Sequence, residues 1–276
     1  MVVILKDAKE EAKAMRLGLM SGDLIPAQEL GPLGFEAVQV FFASGTQDEK
    51  DDPTTEAIDE ILNAGGMALA AMTLHVDLVG PRGCIPADVD RTIRCVEKTA
   101  ALDGRFGANE KPILVWHPSG YPADPEVDDG AVFGGLCEAL RPICDSAAQL
   151  GVDLAVEITR AGSVGSAESF LRIKDRVGSP ALKVCMDAAN FTPDRTPLER
   201  AVRMLGPDTV IAHGKDAAFA DNGEVADYGP TGSGKLDYPT YIRCLVEYAR
   251  PPYFVLEYYR SRQDLLTARD IVRQAP

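Results

Sequence analysis

Short apolar, β-rich runs alternate with longer amphipathic stretches along the chain, and the cycle repeats eight times. The runs are MRLGLM (15–20), FEAVQVFF (35–42), MALAAMTLHV (67–76), KPILVWHP (111–118), VDLAVEIT (152–159), ALKVCMDA (181–188), DTVIAHGKD (208–216) and YFVLEYY (253–259). Strands that alternate with helices predict a parallel sheet, and eight of them close a (β/α)8 barrel. Helix starts are signalled at Asp52-Pro53, Pro86, Ser166 and Tyr238-Pro239. After Pro86, Val89, Ile93, Val96 and Ala100 recur every three or four residues, forming one apolar stripe to lay against a sheet. No change of composition marks a linker. Residues 1–276 are therefore expected to form a single α/β domain, with 1–14 as an N-terminal extension or a cap on the barrel's bottom.

Against this pattern, four strand ends are anomalous. Parallel strands in a closed barrel are buried on both faces and should read as nearly continuous Val, Ile, Leu and Ala. Instead Glu157 ends VDLAV, Asp187 ends ALKVCM, His213 ends DTVIA and Glu257 ends YFVL. All four fall at the C-terminal ends of strands five to eight, the barrel face that builds active sites. Each acid alone reads equally well as a solvated loop residue or an ion-pair partner. Four in register on consecutive strands point instead to a divalent cation. Three converging carboxylates repel one another without one, and Mn²⁺, Mg²⁺, Co²⁺ or Zn²⁺ accepts carboxylate and imidazole together.

Composition narrows the partners. With 28 Lys and Arg against 42 Asp and Glu, the net charge of -14 repels phosphate backbones and anionic headgroups, so neither nucleic acid nor membrane is an expected partner. No apolar run approaches the roughly 20 residues that span a bilayer. A charged stretch follows the opening MVVIL, so the expected location is cytoplasmic. The six cysteines lie far apart without metal-binding spacing and read as reduced core residues. A homo-oligomer, dimer or tetramer, is the default assembly.

Around the four residues, LAVEIT, VCMDAAN, IAHGKD and VLEYY, with GSGKLDYPTY (232–241) before the seventh helix, resemble the xylose isomerase-like TIM barrel superfamily of sugar phosphate isomerases and epimerases. The resemblance implies a carbohydrate-metabolising isomerase or epimerase. Its single divalent metal, manganese in many members, would be bound by Glu157, Asp187, His213 and Glu257. It further implies that Glu157 and Glu257 double as general base and acid, exchanging a C–H proton beside a carbonyl through an enediolate. Lys215 matches the family lysine that holds a substrate oxygen. Asn190 stands where sugar epimerases carry a substrate-contacting histidine; it keeps hydrogen bonding but loses charge. A lyase of the inosose-dehydratase kind is the alternative, followed by a non-catalytic sugar-binding barrel. An apurinic-endonuclease-like hydrolase with metals on His75 and His117 needs more than the chain's three histidines.

Other residues complete the expected substrate site. His75 and His117 end strands three and four and are candidates for binding hydroxyls, or are satisfied core histidines. Trp116 and Tyr121 are candidates for an apolar wall against a carbon skeleton, with ordinary packing as the alternative. Arg160, Arg260 and Arg262 are candidate anion clamps or solvated charges. GPTGSGKL (229–236) imitates a phosphate-binding loop but ends in Leu236 where that motif needs Ser or Thr, and it does not leave a buried strand. Its glycine amides or Lys235 could still reach a substrate's far end. No nucleotide or organic cofactor is expected.

Overall fold

A computed structural model describes residues 15–22, 24–44, 49–107, 110–118, 129–159, 163–191, 197–221 and 225–275. The N-terminal segment 1–14 and two residues singled out above, Tyr121 and Arg160, lie outside them. Eight parallel strands close the barrel: β1 (Arg16–Met20), β2 (Ala37–Phe41), β3 (Ala68–His75), β4 (Ile113–His117), β5 (Asp153–Glu157), β6 (Leu182–Asp187), β7 (Thr209–Gly214) and β8 (Tyr253–Leu256). Each strand neighbours its sequence neighbours, and β8 pairs with β1, Arg16 lying opposite Tyr253. All eight lie within or overlap the apolar runs read from the sequence.

Helices α1 (Ala27–Leu30), α2 (Thr55–Gly65), α3 (Pro86–Ala100), α4 (Asp129–Leu150), α5 (Ala167–Val177), α6 (Ala188–Phe191), α7 (Leu198–Leu205), α8 (Tyr238–Tyr248) and α9 (Arg262–Gln274) follow the strands. In α5 the signal at Ser166 is a capping box: Ser166 Oγ accepts from Ser169 N at 3.1 Å, and Ser169 Oγ accepts from Ser166 N at 3.0 Å. The second helix starts slightly later than Asp52-Pro53 suggested, with Thr54 as the capping residue. Asp52 instead ties the β2–α2 loop to α3, accepting from Arg91 Nη1 at 2.9 Å and from Ala43 N at 3.0 Å. Val89 and Val96 of the α3 stripe are buried, and Ile93 and Ala100 pack partly buried against the same core.

The core has two compartments. The larger lies between strands and helices. The smaller fills the barrel with Ala37, Ala71, Val115, Ala155, Ile211 and Val255 among others. Small side chains there leave room for the polar groups above them. Strand alternation decides which compartment a residue joins. Two register shifts, between Val38 and Gln39 against β3 and between Val184 and Cys185 against β7, bring Gln39 level with Ala71 and Asp187 level with His213. Two short antiparallel ribbons sit on the connections: residues 79–80 with 83–84, and 216–219 with 225–229. Neither carries the strand periodicity that would make it legible in the sequence. All six cysteines are free, and all but Cys84 are buried. Among the described residues no helix is long and apolar enough to cross a membrane.

Candidate metal centre

The ends of β5, β6 and β7 and the residue after β8 deliver Glu157, Asp187, His213 and Glu257 to one point. One ligand atom from each lies within 4.8 Å of all the others. His213 Nδ1 is 3.4 Å from Glu157 Oε2 and 3.7 Å from Glu257 Oε1. Ligand bonds of about 2.0–2.2 Å put two donors of one ion no more than about 4.4 Å apart, so the two His213 spacings suit a shared cation. Asp187 and His213 are inaccessible to solvent, and Glu157 and Glu257 are 3% and 8% exposed. His213 Nδ1 and Glu257 Oε1 are buried without a hydrogen-bond partner. Glu257 Oε1 has the Lys215 ammonium 3.0 Å away; the unpaired His213 Nδ1 is the rarer case and calls for a partner.

Lys215 brings one compensating charge. Its side chain leaves β7 on the same side as His213, because Gly214 between them faces outward, where a Cβ would meet Phe254 Cε1 at 2.6 Å. Lys215 Nζ forms a close ion pair with Asp187 and lies 3.0 Å from Glu257 Oε1 and 3.5 Å from Glu157 Oε1. Three carboxylates and one ammonium sum to -2, which a divalent ion bound through a neutral imidazole brings to zero. Burial opposes charge on Glu157, but Lys215 and His213 outweigh it and hold its pKa well below the usual range. Burial pushes Asp187 upward, with Lys215 pulling the other way. On His213, burial is more than offset by Cys185 and Glu157, and its pKa stands well above the ordinary imidazole value. A metal bound at an imidazole nitrogen needs that nitrogen free of its proton, so metal and proton compete for His213.

Above the cluster opens a cavity of about 320 Å³ whose lining includes His75, His117, Glu157, Lys215, Glu257 and Tyr258. His75 and His117 pair in register across β3 and β4 and stack with centroids 4.4 Å apart. His117 Nε2 lies 3.9 Å from Glu157 Oε1. Burial and then His117 lower the pKa of His75 to about 4, so it is neutral at physiological pH. Tyr228 and Tyr258 flank Lys215, their ring centres 5.1 and 5.3 Å from its Nζ. Tyr258 has a left-handed backbone, φ 57°, a strained conformation at a site position. A larger, mainly apolar cleft of about 620 Å³ adjoins between β1, β2 and their helices and holds none of the four ligands.

Other candidates are placed elsewhere. Trp116 is fully buried in the layer between strands and helices, and its indole donates to Val76 O at 2.9 Å. It forms no wall of the cavity: with His117 turned inward, its immediate neighbour on the strand must point out. Asn190, in α6, is 3% exposed and donates to Glu157 Oε1 at 3.3 Å and Asp187 Oδ2 at 3.2 Å. It therefore braces two ligands and does not line the cavity. Arg260 is exposed, bonded to Asp227 Oδ2 and Tyr228 O at 2.7 Å each, and Arg262 pairs with Glu29 at the surface. Residues 229–236 wrap an internal anion. Asp216 Oδ1 accepts from Leu236 N at 3.1 Å and from Ala217 N at 2.9 Å, and Oδ2 accepts from Gly232 N at 3.2 Å. Those amides are not free to hold a ligand phosphate.

Four site residues escaped the sequence reading: Tyr228 and Tyr258 beside Lys215, and Gln39 and Thr73 behind His213. Gln39 Oε1 lies 3.1 Å from His213 Nε2, and Gln39 Nε2 donates to Thr73 Oγ1 at 2.7 Å, with both side chains inaccessible. The signal was present: Gln39 is the one polar residue within AVQVF.

Comparison with known proteins decides the lineage. The family model described as xylose isomerase-like TIM barrel matches residues 27–275, nearly the whole chain. The chain belongs to the xylose isomerase-like TIM barrel family. Among solved members of similar fold, the probable 3-DHS dehydratase AsbF from Bacillus anthracis is 17% identical, with 95% of this chain and 100% of that one covered at a TM-score of 0.72. D-psicose 3-epimerase from Clostridium cellulolyticum H10 is 14% identical, with 95% and 99% covered at 0.69. The 3-keto-D-glucoside 4-epimerase YcjR from E. coli is 14% identical, with 94% and 98% covered at 0.67. At these identities the likeness shows the fold. No curated protein sequence matches this xylose isomerase-like barrel.

Proposed function

We propose that this xylose isomerase-like barrel is a divalent-metal-dependent isomerase or epimerase of a small sugar, keto-sugar or related polyhydroxy carbonyl compound. The observation that carries the reading is the convergence of Glu157, Asp187, His213 and Glu257 within 4.8 Å beneath a cavity of about 320 Å³. Epimerases among its structural neighbours support it. A bound Mn²⁺, Mg²⁺, Co²⁺ or Zn²⁺ supplies Lewis acidity that acidifies the C–H beside a substrate carbonyl.

The chain's residues supply the rest. Asp187 and His213 hold the ion, and Asn190 braces the Glu157 and Asp187 carboxylates. Glu157, held ionised by the neighbouring Lys215 ammonium, is poised to remove a proton. Glu257, across the cluster, takes up a proton from solvent and returns it to the substrate, and Glu157 releases its own to solvent to close the cycle. Lys215 neutralises negative charge that develops on a substrate oxygen. His75, neutral through burial, offers a hydroxyl both a donor and an acceptor. The stacked His75 and His117 pair forms the cavity's side wall.

The test is incubation of the metal-loaded enzyme with ketoses, 3-keto-glycosides and inososes in D₂O. Deuterium should enter one carbon-bound position, and both Glu157→Gln and Glu257→Gln should lose at least about 100-fold in exchange rate. Undiminished exchange in both variants contradicts the assignment. The dehydratase among the structural neighbours favours a second reading, in which the same deprotonation expels a β-hydroxyl. Product mass separates the two, since only the lyase product is lighter by one water.

A further inference from the structure

We infer that Gln39 and Thr73 form a positioning relay that fixes the tautomer of His213 and so makes Nδ1 its metal-binding nitrogen. The inference rests on the metal-centre reading above. It concerns two residues outside the four ligands, on strands β2 and β3 across the barrel from β6 and β7.

The two ring nitrogens of His213 meet different neighbours. Only Nδ1 faces the carboxylates, at 3.4 Å from Glu157 Oε2 and 3.7 Å from Glu257 Oε1. A neutral imidazole that gives its Nδ1 lone pair to a cation must carry its proton on Nε2. That N–H is then a buried donor in a ring with no exposure to solvent, and it needs an acceptor. Gln39 Oε1 at 3.1 Å fills that role.

Gln39 can serve only if its amide keeps its oxygen toward the ring. Its other end is engaged by Thr73, whose Oγ1 accepts from Gln39 Nε2 at 2.7 Å. Both side chains are inaccessible, so no water competes for either end. The backbone irregularity falls at this same place. The pairing of β2 with β3 shifts register between Val38 and Gln39, which sets Gln39 level with Ala71 and Phe41 level with Thr73. A one-residue slip would turn such side chains to the opposite face. Gln39 and Thr73 otherwise interrupt apolar strands, a costly choice for packing alone. Nor do they line the cavity, so substrate contact does not account for them. Partners behind a metal-bound histidine orient the ring and raise its basicity, and their loss typically costs 10–100-fold in metal affinity.

Three variants and two measurements test the relay. Gln39→Met keeps size and removes both polar ends; Thr73→Val removes the hydroxyl at near-constant volume; Gln39→Glu keeps an acceptor toward Nε2. Titration with Co²⁺, followed by its visible absorption, should show affinity reduced about 10–100-fold in Gln39→Met, reduced less in Thr73→Val, and closest to wild type in Gln39→Glu. Long-range ¹H–¹⁵N spectra of the Zn²⁺-loaded full chain report the tautomer directly, with only three histidines to resolve. They should show protonated Nε2 and unprotonated Nδ1 on His213 in wild type, with that pattern lost or mixed in Gln39→Met. A general packing defect would lower stability without changing the tautomer and would not be repaired by Gln39→Glu. Wild-type affinity and an unchanged tautomer in Gln39→Met overturn the relay while leaving the metal centre intact. Failure of the wild-type chain to take up Co²⁺ overturns both.

Discussion

Residues at the mouth do their work through what surrounds them. His75 is the clearest case, because burial and the neighbouring His117 lower its pKa from 6.5 to about 4. Between those values the unfolded chain binds a proton on this histidine that the folded chain refuses, so stability rises with pH across that interval and falls on acidification. In EDTA, the melting temperature of wild type should therefore drop more steeply from pH 6.5 to pH 4 than that of His75→Gln. Parallel curves would show that His75 titrates normally in the fold. The same scale explains the misplaced Trp116. Adjacent strand residues face opposite ways, so only one of Trp116 and His117 can turn inward; it is His117, which leaves the indole to hydrogen-bond Val76 in the outer layer. Gln39 was legible on the same logic, as a polar residue on an inward phase, but its meaning depended on a partner on β7 that sequence distance conceals.

At the scale of elements, apolar periodicity located the eight barrel strands because each is buried on both faces and admits little but aliphatic side chains. Cap signals located α3, α5 and α8 for an equally local reason: the orphan amides of a first turn select particular residues. The two ribbons and the short helix α6 carry no such pattern. They are held by tertiary contacts, as Asn190 of α6 is by the carboxylates it braces. The segment 229–236 shows how a motif can mislead. Glycines and a lysine suggest phosphate, yet the anion they enclose is Asp216, next in sequence to Lys215. Two of the loop's amides, Gly232 N and Leu236 N, on one carboxylate fix this loop and, through Tyr238 donating to Lys215 O at 2.6 Å, the strand end that carries Lys215. Asp216→Ala should lower unfolding free energy by about 2–3 kcal/mol. Limited proteolysis should then cut first within 229–236. A variant as stable and protease-resistant as wild type would show that the loop holds itself.

Across the whole molecule, the barrel brings four separate strand ends to one point, which is why a candidate ligand set could be read from sequence before any contact was known. Each ligand stands at or beside the end of an apolar run, and closure of the sheet does the rest. The substrate was not legible, because connections choose it and their sequences follow no period. The charge of -14 also acts at this scale, since it deters phosphate backbones while the cluster itself needs positive charge. The central claim is that Glu157, Asp187, His213 and Glu257 hold one divalent cation. Elemental analysis after equilibration with Mn²⁺ and gel filtration tests it most directly. The account predicts one metal ion per wild-type chain and a content near zero in a folded Asp187→Ala variant; a metal-free wild type, or a variant that retains its full complement, would contradict it.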